Sequence, residues 1–157
     1  MDRAVIEQYA QGADDLTRAI EGLSGADMNA RPVPDTWSIQ EIVMHMMDSD
    51  LIASDRMKRI IAEDNPLILG YDETRFSQRL HYDKADANLA CRVFAMNRQM
   101  TAALLRLLPD ETFQRTGVHN QAGKLTLAQM VKGYHDHLQH HLKFLHQKRR
   151  LLGKPAN

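Results

Sequence analysis

The strongest constraint on this fold is a helical apolar periodicity that runs through four long segments of the chain. In each segment apolar side chains recur at steps of three and four residues, which places them on one face of an α-helix. The predicted helices span about residues 2–23, 38–63, 86–108 and 126–152. No segment shows the alternation that is typical of a strand. We therefore predict an all-α fold, a single domain over residues 1–157.

Local signals set the helix boundaries. Ser38 with Glu41, and Thr126 with Gln129, have the spacing of capping boxes, in which side chains satisfy the free N–H groups of a helix start. Pro109 ends the third helix. The linking segments 64–85 and 110–124 show no regular pattern. Helices of about 20–26 residues are about 30–40 Å long and pack naturally as a four-helix bundle.

Composition disfavours several classes of protein. Lys and Arg total 20, as do Asp and Glu, so no positive excess is available to neutralise nucleic-acid phosphates. Cys91 is a single cysteine and cannot form an intrachain disulfide. The start of the chain lacks a basic, apolar signal, and no apolar run reaches the ~18–20 residues that cross a bilayer. We expect a cytoplasmic protein that contacts neither nucleic acid nor membrane.

Histidines are concentrated near the end of the chain. Of eight in total, five lie in the last predicted helix: His135, His137, His140, His141 and His146. His137 and His141 stand one turn apart on the face that carries Tyr134, so both rings are expected to point inward. His135 and His146 point away from His137 and are expected to be solvated.

His45, in the second predicted helix, is the natural third partner of this pair. Three neutral imidazoles suit Zn²⁺ or Ni²⁺, and also Fe²⁺, Mn²⁺ or Cu²⁺, and they leave coordination positions open. Taken alone, however, a pair of histidines four apart is a weak signal. His45 by itself is explained more simply as a buried, hydrogen-bonded histidine.

The segment 31–45 resembles the start of the second helix in DinB-like (YfiT-like) proteins, where a proline-containing loop leads to Trp-Ser. Trp37 and His45 match the family's spacing, and the sequence 123–127 before the histidine-rich helix resembles the start of its last helix. The resemblance implies an up-down-down-up four-helix bundle with a metal site formed by His45, His137 and His141. Homodimers are common in this family. Some relatives are described as metal-dependent hydrolases, and others as S-transferases that use low-molecular-weight thiols.

Two enzyme mechanisms follow from this resemblance: hydrolysis of a small molecule by metal-bound water, and transfer of a metal-activated thiol. The alternative is a non-catalytic, metal-binding or stress-associated bundle. Asp48, three residues after His45, is a candidate general base, and Tyr134 is a candidate pocket residue. The competing interpretation is a solvated charge for Asp48 and a packed ring for Tyr134. His119 is a further loop residue that could approach the site.

A dimeric interaction module is a third hypothesis, which requires an apolar outer helix face. The outer faces are predicted to be polar because they carry Arg18, Lys58, Arg98 and Lys143. This hypothesis therefore ranks last.

Overall fold

The structure, a computed structural model, describes residues 3–156. Within them are seven α-helices: α1 (Ala4–Gln11), α2 (Asp15–Ile20), α3 (Gly25–Asn29), α4 (Ile39–Ala62), α5 (Glu73–Arg79), α6 (Ala87–Leu107) and α7 (Leu127–Leu151). Three short strands accompany them: β1 (Leu67–Ile68), β2 (Thr116–His119) and β3 (Gly123–Thr126). The predicted start of the first helix at Asp2 lies outside the described residues.

The first long helix is broken, whereas one continuous helix was predicted over residues 2–23. At the break the backbone tightens, with Ala13 N–H donating to the Ala10 carbonyl and Asp15 N–H to the Gly12 carbonyl. Gly12 lies so close to α6 and α7 that a Cβ there would stand 2.7 Å from Arg98 Nη1 and 2.6 Å from Leu138 Cδ2. The periodicity did not reveal the break, because the apolar face continues across it.

Both predicted capping boxes are present. The Ser38 side chain accepts from Glu41 N–H and the Glu41 carboxylate accepts from Ser38 N–H, and Thr126 forms the same reciprocal pair with Gln129. These caps fix where α4 and α7 begin. Each histidine lies a set number of residues from the start of its helix. The caps therefore also fix its position along the helix axis.

Contacts between the long helices establish their directions. Gln40 Nε2 donates to the Ala85 carbonyl near the starts of α4 and α6, and Asn97 Nδ2 donates to the Asp50 carbonyl at their middles, so these helices are parallel. The far end of α4 packs on the start of α7, which makes that pair antiparallel. Arg149, near the end of α7, donates to the Ala19 carbonyl, near the end of α2. The first and last helical segments therefore end at the same end of the bundle. The predicted up-down-down-up bundle is confirmed.

A small sheet corrects the prediction that no strands occur. β1 pairs in parallel with β2, and β2 pairs antiparallel with β3. The strands have only two to four residues, too few for an alternation to show in the sequence. At Gly117 the sheet approaches α4 so closely that a Cβ would stand 3.0 Å from Ile60.

Arg98 was predicted to face solvent and is fully buried at the centre of the bundle. Its Nε lies 2.9 Å from Asp50 Oδ1, and its guanidinium also donates to the carbonyls of Tyr9 and Tyr134. Periodicity on α6 alone could not show this, because every hydrogen-bond partner of Arg98 belongs to another helix. The Arg98–Asp50 ion pair thus connects α6 with α4, and the two other hydrogen bonds of Arg98 connect it with α1 and α7.

The outer face of α6 carries an apolar stripe, contrary to the prediction of polar outer faces. Leu89, Met96, Met100 and Leu107 are between 50% and 82% exposed. Their spacing of seven, four and seven residues aligns them in one stripe. Arg18, Lys58 and Lys143 are exposed, as predicted. Within residues 3–156 no helix combines the length and apolar character required to cross a membrane.

Candidate metal centre

His45, His137 and His141 meet between α4 and α7. His45 lies in the second turn of α4 and is fully buried, whereas the other two histidines are half-buried in the middle of α7. The antiparallel packing of these helices brings the three rings together. In the described part of the chain they are the one group of three or more His, Cys, Asp or Glu side chains placed to hold a metal ion.

The ring nitrogens of the three histidines converge. His137 Nε2 lies 3.2 Å from His45 Nε2 and 3.1 Å from His141 Nε2. Zinc–imidazole bonds of about 2.0–2.1 Å in a tetrahedral arrangement set ligand nitrogens about 3.3 Å apart. The observed separations are thus close to those of a three-histidine zinc site.

The electrostatics of the cluster also favour metal binding. Burial lowers the pKa of His45 to about 3, of His137 to about 4 and of His141 to about 3, and repulsion from neighbouring cationic groups adds to the effect. The imidazoles are therefore neutral at neutral pH, which is the form that binds metals. The residues present fit a divalent ion.

Packing on Trp37 holds two of the rings. The Trp37 ring centroid lies 4.8 Å from that of His45, and Trp37 stacks on His141 at 6.3 Å. Ligating histidines usually donate their second ring N–H to an acceptor. Here the Nδ1 atoms of His45 and His137 are buried without a hydrogen-bond partner among the described residues. Packing against Trp37 therefore helps to hold the rings of His45 and His141 in place, as hydrogen bonds do in other metal sites.

A cavity of about 340 Å³ adjoins His137, and we refer to it as the polar cavity. Most of its lining residues are polar, and these are Ser49, Arg56, Tyr71, Glu73, Gln129, Tyr134 and His137. The Tyr134 hydroxyl accepts a 2.6 Å hydrogen bond from Arg56 Nη1, which leaves its own proton free for a substrate atom. The predicted pocket residue Tyr134 thus lies in the cavity.

Asp48, the other predicted catalytic residue, is not part of that lining. Its carboxylate accepts a hydrogen bond of 2.5 Å from the Tyr82 hydroxyl. Burial and the Asp48 carboxylate together raise the pKa of Tyr82, so Tyr82 keeps its proton and holds the bond. The structure places Asp48 in a contact between α4 and the 3₁₀ turn Tyr82–Lys84.

A second cavity, of about 410 Å³, adjoins His141, and we refer to it as the apolar cavity. Trp37, Ile42 and Phe144 contribute to its lining, with the Lys148 side chain. Lys148 is 4% exposed, and its ammonium donates to the Thr36 hydroxyl. The three-histidine cluster is therefore bordered by two cavities of different character.

His119, His135 and His146 lie apart from the cluster, whereas the ring of exposed His140 packs edge-on against His141. His119 is on β2, where its Nδ1 accepts from the backbone N–H groups of Gln121 and Ala122. His135 and His146 are half-buried, although they were predicted to be solvated. The reason is that α7 packs against α1 and α2 as well as α4, so more than one of its faces is covered.

Sequence reasoning missed Arg56, Tyr71 and Glu73. Arg56 follows Ser49 by seven residues on α4, a spacing that keeps both on the face of His45, and this signal could have found it. Tyr71 and Glu73 lie in the segment 64–85, which has no regular pattern. Only the tertiary packing of that segment over α4 brings them to the cavity.

Comparison with known proteins agrees with this picture. The family model of the DinB superfamily matches residues 8–145. The chain belongs to the DinB superfamily. The resemblance inferred from Trp37, His45 and the histidine-rich helix is thereby confirmed.

Individual relatives of this DinB superfamily chain are distant but span most of its length. A protein of Oceanobacillus iheyensis is 25% identical over 142 residues, which cover 88% of this chain and 82% of the relative. YfiT of Bacillus subtilis is 26% identical over 139 residues, covering 88% and 78% respectively. Both relatives carry the name "putative metal-dependent hydrolase".

The solved structure of Bacillus subtilis YfiT superposes with a TM-score of 0.91 at 24% sequence identity. The match covers 96% of this chain and 87% of YfiT. That protein is described as having an unusual four-helix bundle topology. The similarity shows that this chain has the same fold.

Proposed function

We propose that this chain is a metal-dependent hydrolase of a small molecule, with His45, His137 and His141 as metal ligands. The observation that carries the proposal is the convergence of three neutral imidazoles beside a cavity, with His137 Nε2 3.1–3.2 Å from the Nε2 atoms of the other two. The names of the relatives support the same reaction class. Zn²⁺ and Ni²⁺ suit this ligand set best, and Fe²⁺ or Mn²⁺ also fit it.

A divalent ion held by His45, His137 and His141 would lower the pKa of a bound water to about 7 and would thereby supply a nucleophile at neutral pH. The chain's own residues then bind and orient the substrate. Tyr134, held by Arg56, donates its free hydroxyl proton to a substrate oxygen. Glu73 is the carboxylate of the cavity lining. It is exposed, but partial desolvation and the nearby Asp72 raise its pKa, which suits it to accept and return a proton at its side-chain oxygens.

Thiol S-transfer is the second candidate function, with a low-molecular-weight thiol as co-substrate. Such a reaction brings together two molecules. The two cavities that border the cluster, one polar and one apolar, would accommodate a thiol and an electrophile separately. Turnover that requires added thiol would favour this function, and turnover in its absence favours hydrolysis. A non-catalytic metal-binding bundle would show neither.

A homodimer is proposed as the assembled form. The stripe of Leu89, Met96, Met100 and Leu107 on α6 has the heptad spacing by which identical helices pair. In a two-fold symmetric dimer the same surface of each copy forms the interface, so each copy would cover the other's stripe. The cytoplasmic location stays a prediction.

Metal analysis tests the proposed site. Protein purified without an affinity tag is measured by inductively coupled plasma mass spectrometry, alongside His45→Ala and His137→Ala. We expect about one metal ion per chain, lost in both variants. His140→Ala is the matched control, because His140 is exposed and next to His141. A wild-type protein that retains no ion after reconstitution with Zn²⁺, Ni²⁺, Fe²⁺ or Mn²⁺ contradicts the proposal.

A further inference from the structure

Arg56 is a buried cation whose described hydrogen bonds go to neutral groups. Only 9% of the residue is exposed, and its guanidinium donates to the Tyr134 hydroxyl and to the Leu69 carbonyl. Among residues 3–156 no carboxylate pairs with it, whereas buried Arg98 is paired with Asp50. Burial of an unpaired charge is costly, and a guanidinium has five N–H donors, so Arg56 retains donors for an anion.

Tyr71 adds a second donor to the same cavity. Its hydroxyl is buried without a hydrogen-bond partner of good geometry, with Ser49 close by. Its ring lies 6.0 Å from the Arg56 guanidinium carbon. Burial raises the pKa of Tyr71 to about 12, so the hydroxyl keeps its proton. A buried donor with no acceptor indicates that a ligand atom completes its hydrogen bonding.

The other charges near this cavity do not neutralise Arg56. Glu73 belongs to the lining, but it is solvent-exposed and forms no ion pair with Arg56. Asp50 is already bound by Arg98. The cavity of about 340 Å³ has room for a small molecule and reaches His137.

We propose that Arg56 and Tyr71 bind an anionic group of the substrate, a carboxylate or a phosphate, and hold it beside His137. Arginine binds both groups through paired N–H donors, with the geometry that makes such contacts strong. The assignment of an anionic substrate rests on the proposed function, because the anion would bind at the same site. The substrate is accordingly a small anionic molecule, with its reacting group at the three-histidine cluster.

An NMR titration of the metal-free full chain tests this site without a contribution from direct metal–anion contact. The probes are benzoate, phenyl phosphate and the neutral benzamide, and the readout is the dissociation constant from backbone amide shifts around residues 129–137. At least one anion is expected to bind about tenfold or more tightly than benzamide. Comparison of benzoate with phenyl phosphate shows which anionic group the site prefers.

Three variants make the test specific. Arg56→Met is expected to abolish the preference for anions, and Tyr71→Phe to weaken anion binding several-fold. Tyr71→Phe removes only an unpaired hydroxyl, so it decides the question even where Arg56→Met fails to fold. Arg59→Met is the control, since Arg59 lies on the same helix and is exposed. Equal affinities for benzoate, phenyl phosphate and benzamide, or unchanged anion affinity in Tyr71→Phe, would overturn the inference.

The outcomes also separate this inference from the proposed function. A chain that binds metal but shows no anion preference overturns the anion site and leaves the hydrolase proposal standing. A chain that prefers anions through Arg56 and Tyr71 but never retains metal supports the anion site and overturns the hydrolase proposal.

Discussion

His45 Nε2 and His137 Nε2 lie 3.2 Å apart, although 92 residues separate them in the chain. Two unligated neutral imidazoles at this distance gain at most one hydrogen bond, and each has a second ring nitrogen buried without a partner. A metal ion held jointly with His141 would give all three imidazoles one common partner. The arrangement is thus more readily explained by ligation than by core packing.

Metal binding should stabilise the fold. A ligand that binds only the native state adds about 2.7 kcal/mol at a concentration one hundred times its dissociation constant. We expect Zn²⁺ to raise the unfolding temperature of the metal-stripped protein, as measured by calorimetry. In His141→Ala the increase should be much smaller, while His140→Ala should respond like the unmodified chain. An equal increase in His141→Ala would mean that zinc acts elsewhere.

Loss of one partner of the Arg98–Asp50 pair should destabilise the protein strongly. Both side chains are at most 1% exposed, so Asp50→Asn leaves a buried cation without its counter-ion. The expected loss in free energy of unfolding is about 3–5 kcal/mol, measured by urea denaturation. The exposed Arg106–Glu7 pair is the control, and Arg106→Ala should cost far less, because solvent screens an exposed ion pair. Similar losses at the two pairs would contradict this account of the core.

Two glycines should respond to alanine in opposite directions. At Gly12 a Cβ would lie 2.6 Å from Leu138 Cδ2, so Gly12→Ala should cost about 1–3 kcal/mol of stability. At Gly133, within α7, no such contact exists, and Gly133→Ala should stabilise by about 0.5–1 kcal/mol. Chemical denaturation of both variants measures the difference. A neutral Gly12→Ala would show that the helices can separate there without cost.

A charge in the α6 stripe should separate the proposed dimer. Met100 is 72% exposed, so Met100→Lys should leave the isolated fold intact but place a cation in the interface. Light scattering coupled to size-exclusion chromatography should then give the mass of one chain, 17.9 kDa, instead of two. Gln99→Lys, an exposed neighbour outside the stripe, should stay dimeric. A monomeric unmodified chain would disprove the dimer.

Features that depend on neighbours within a few helical turns could be predicted from the sequence. The apolar periodicity, the capping boxes at Ser38 and Thr126 and the four-residue spacing of His137 and His141 all act locally. They therefore predict the long helices and the shared face of those two histidines. His45 was a candidate third ligand from the sequence, and the family resemblance strengthened that assignment and added the order of the helices.

Features that depend on contacts between distant segments could not be predicted, because they form only when the chain has folded. The burial of Arg98 requires Asp50 on another helix, and the polar cavity requires Tyr71 and Glu73 from a segment without a regular pattern. The break at Gly12 and the short sheet at Gly117 likewise lie where the backbone packs closely against side chains of distant segments. Such contacts carry no periodic signal, because their energy comes from partners that are far apart in the chain and adjacent only after folding.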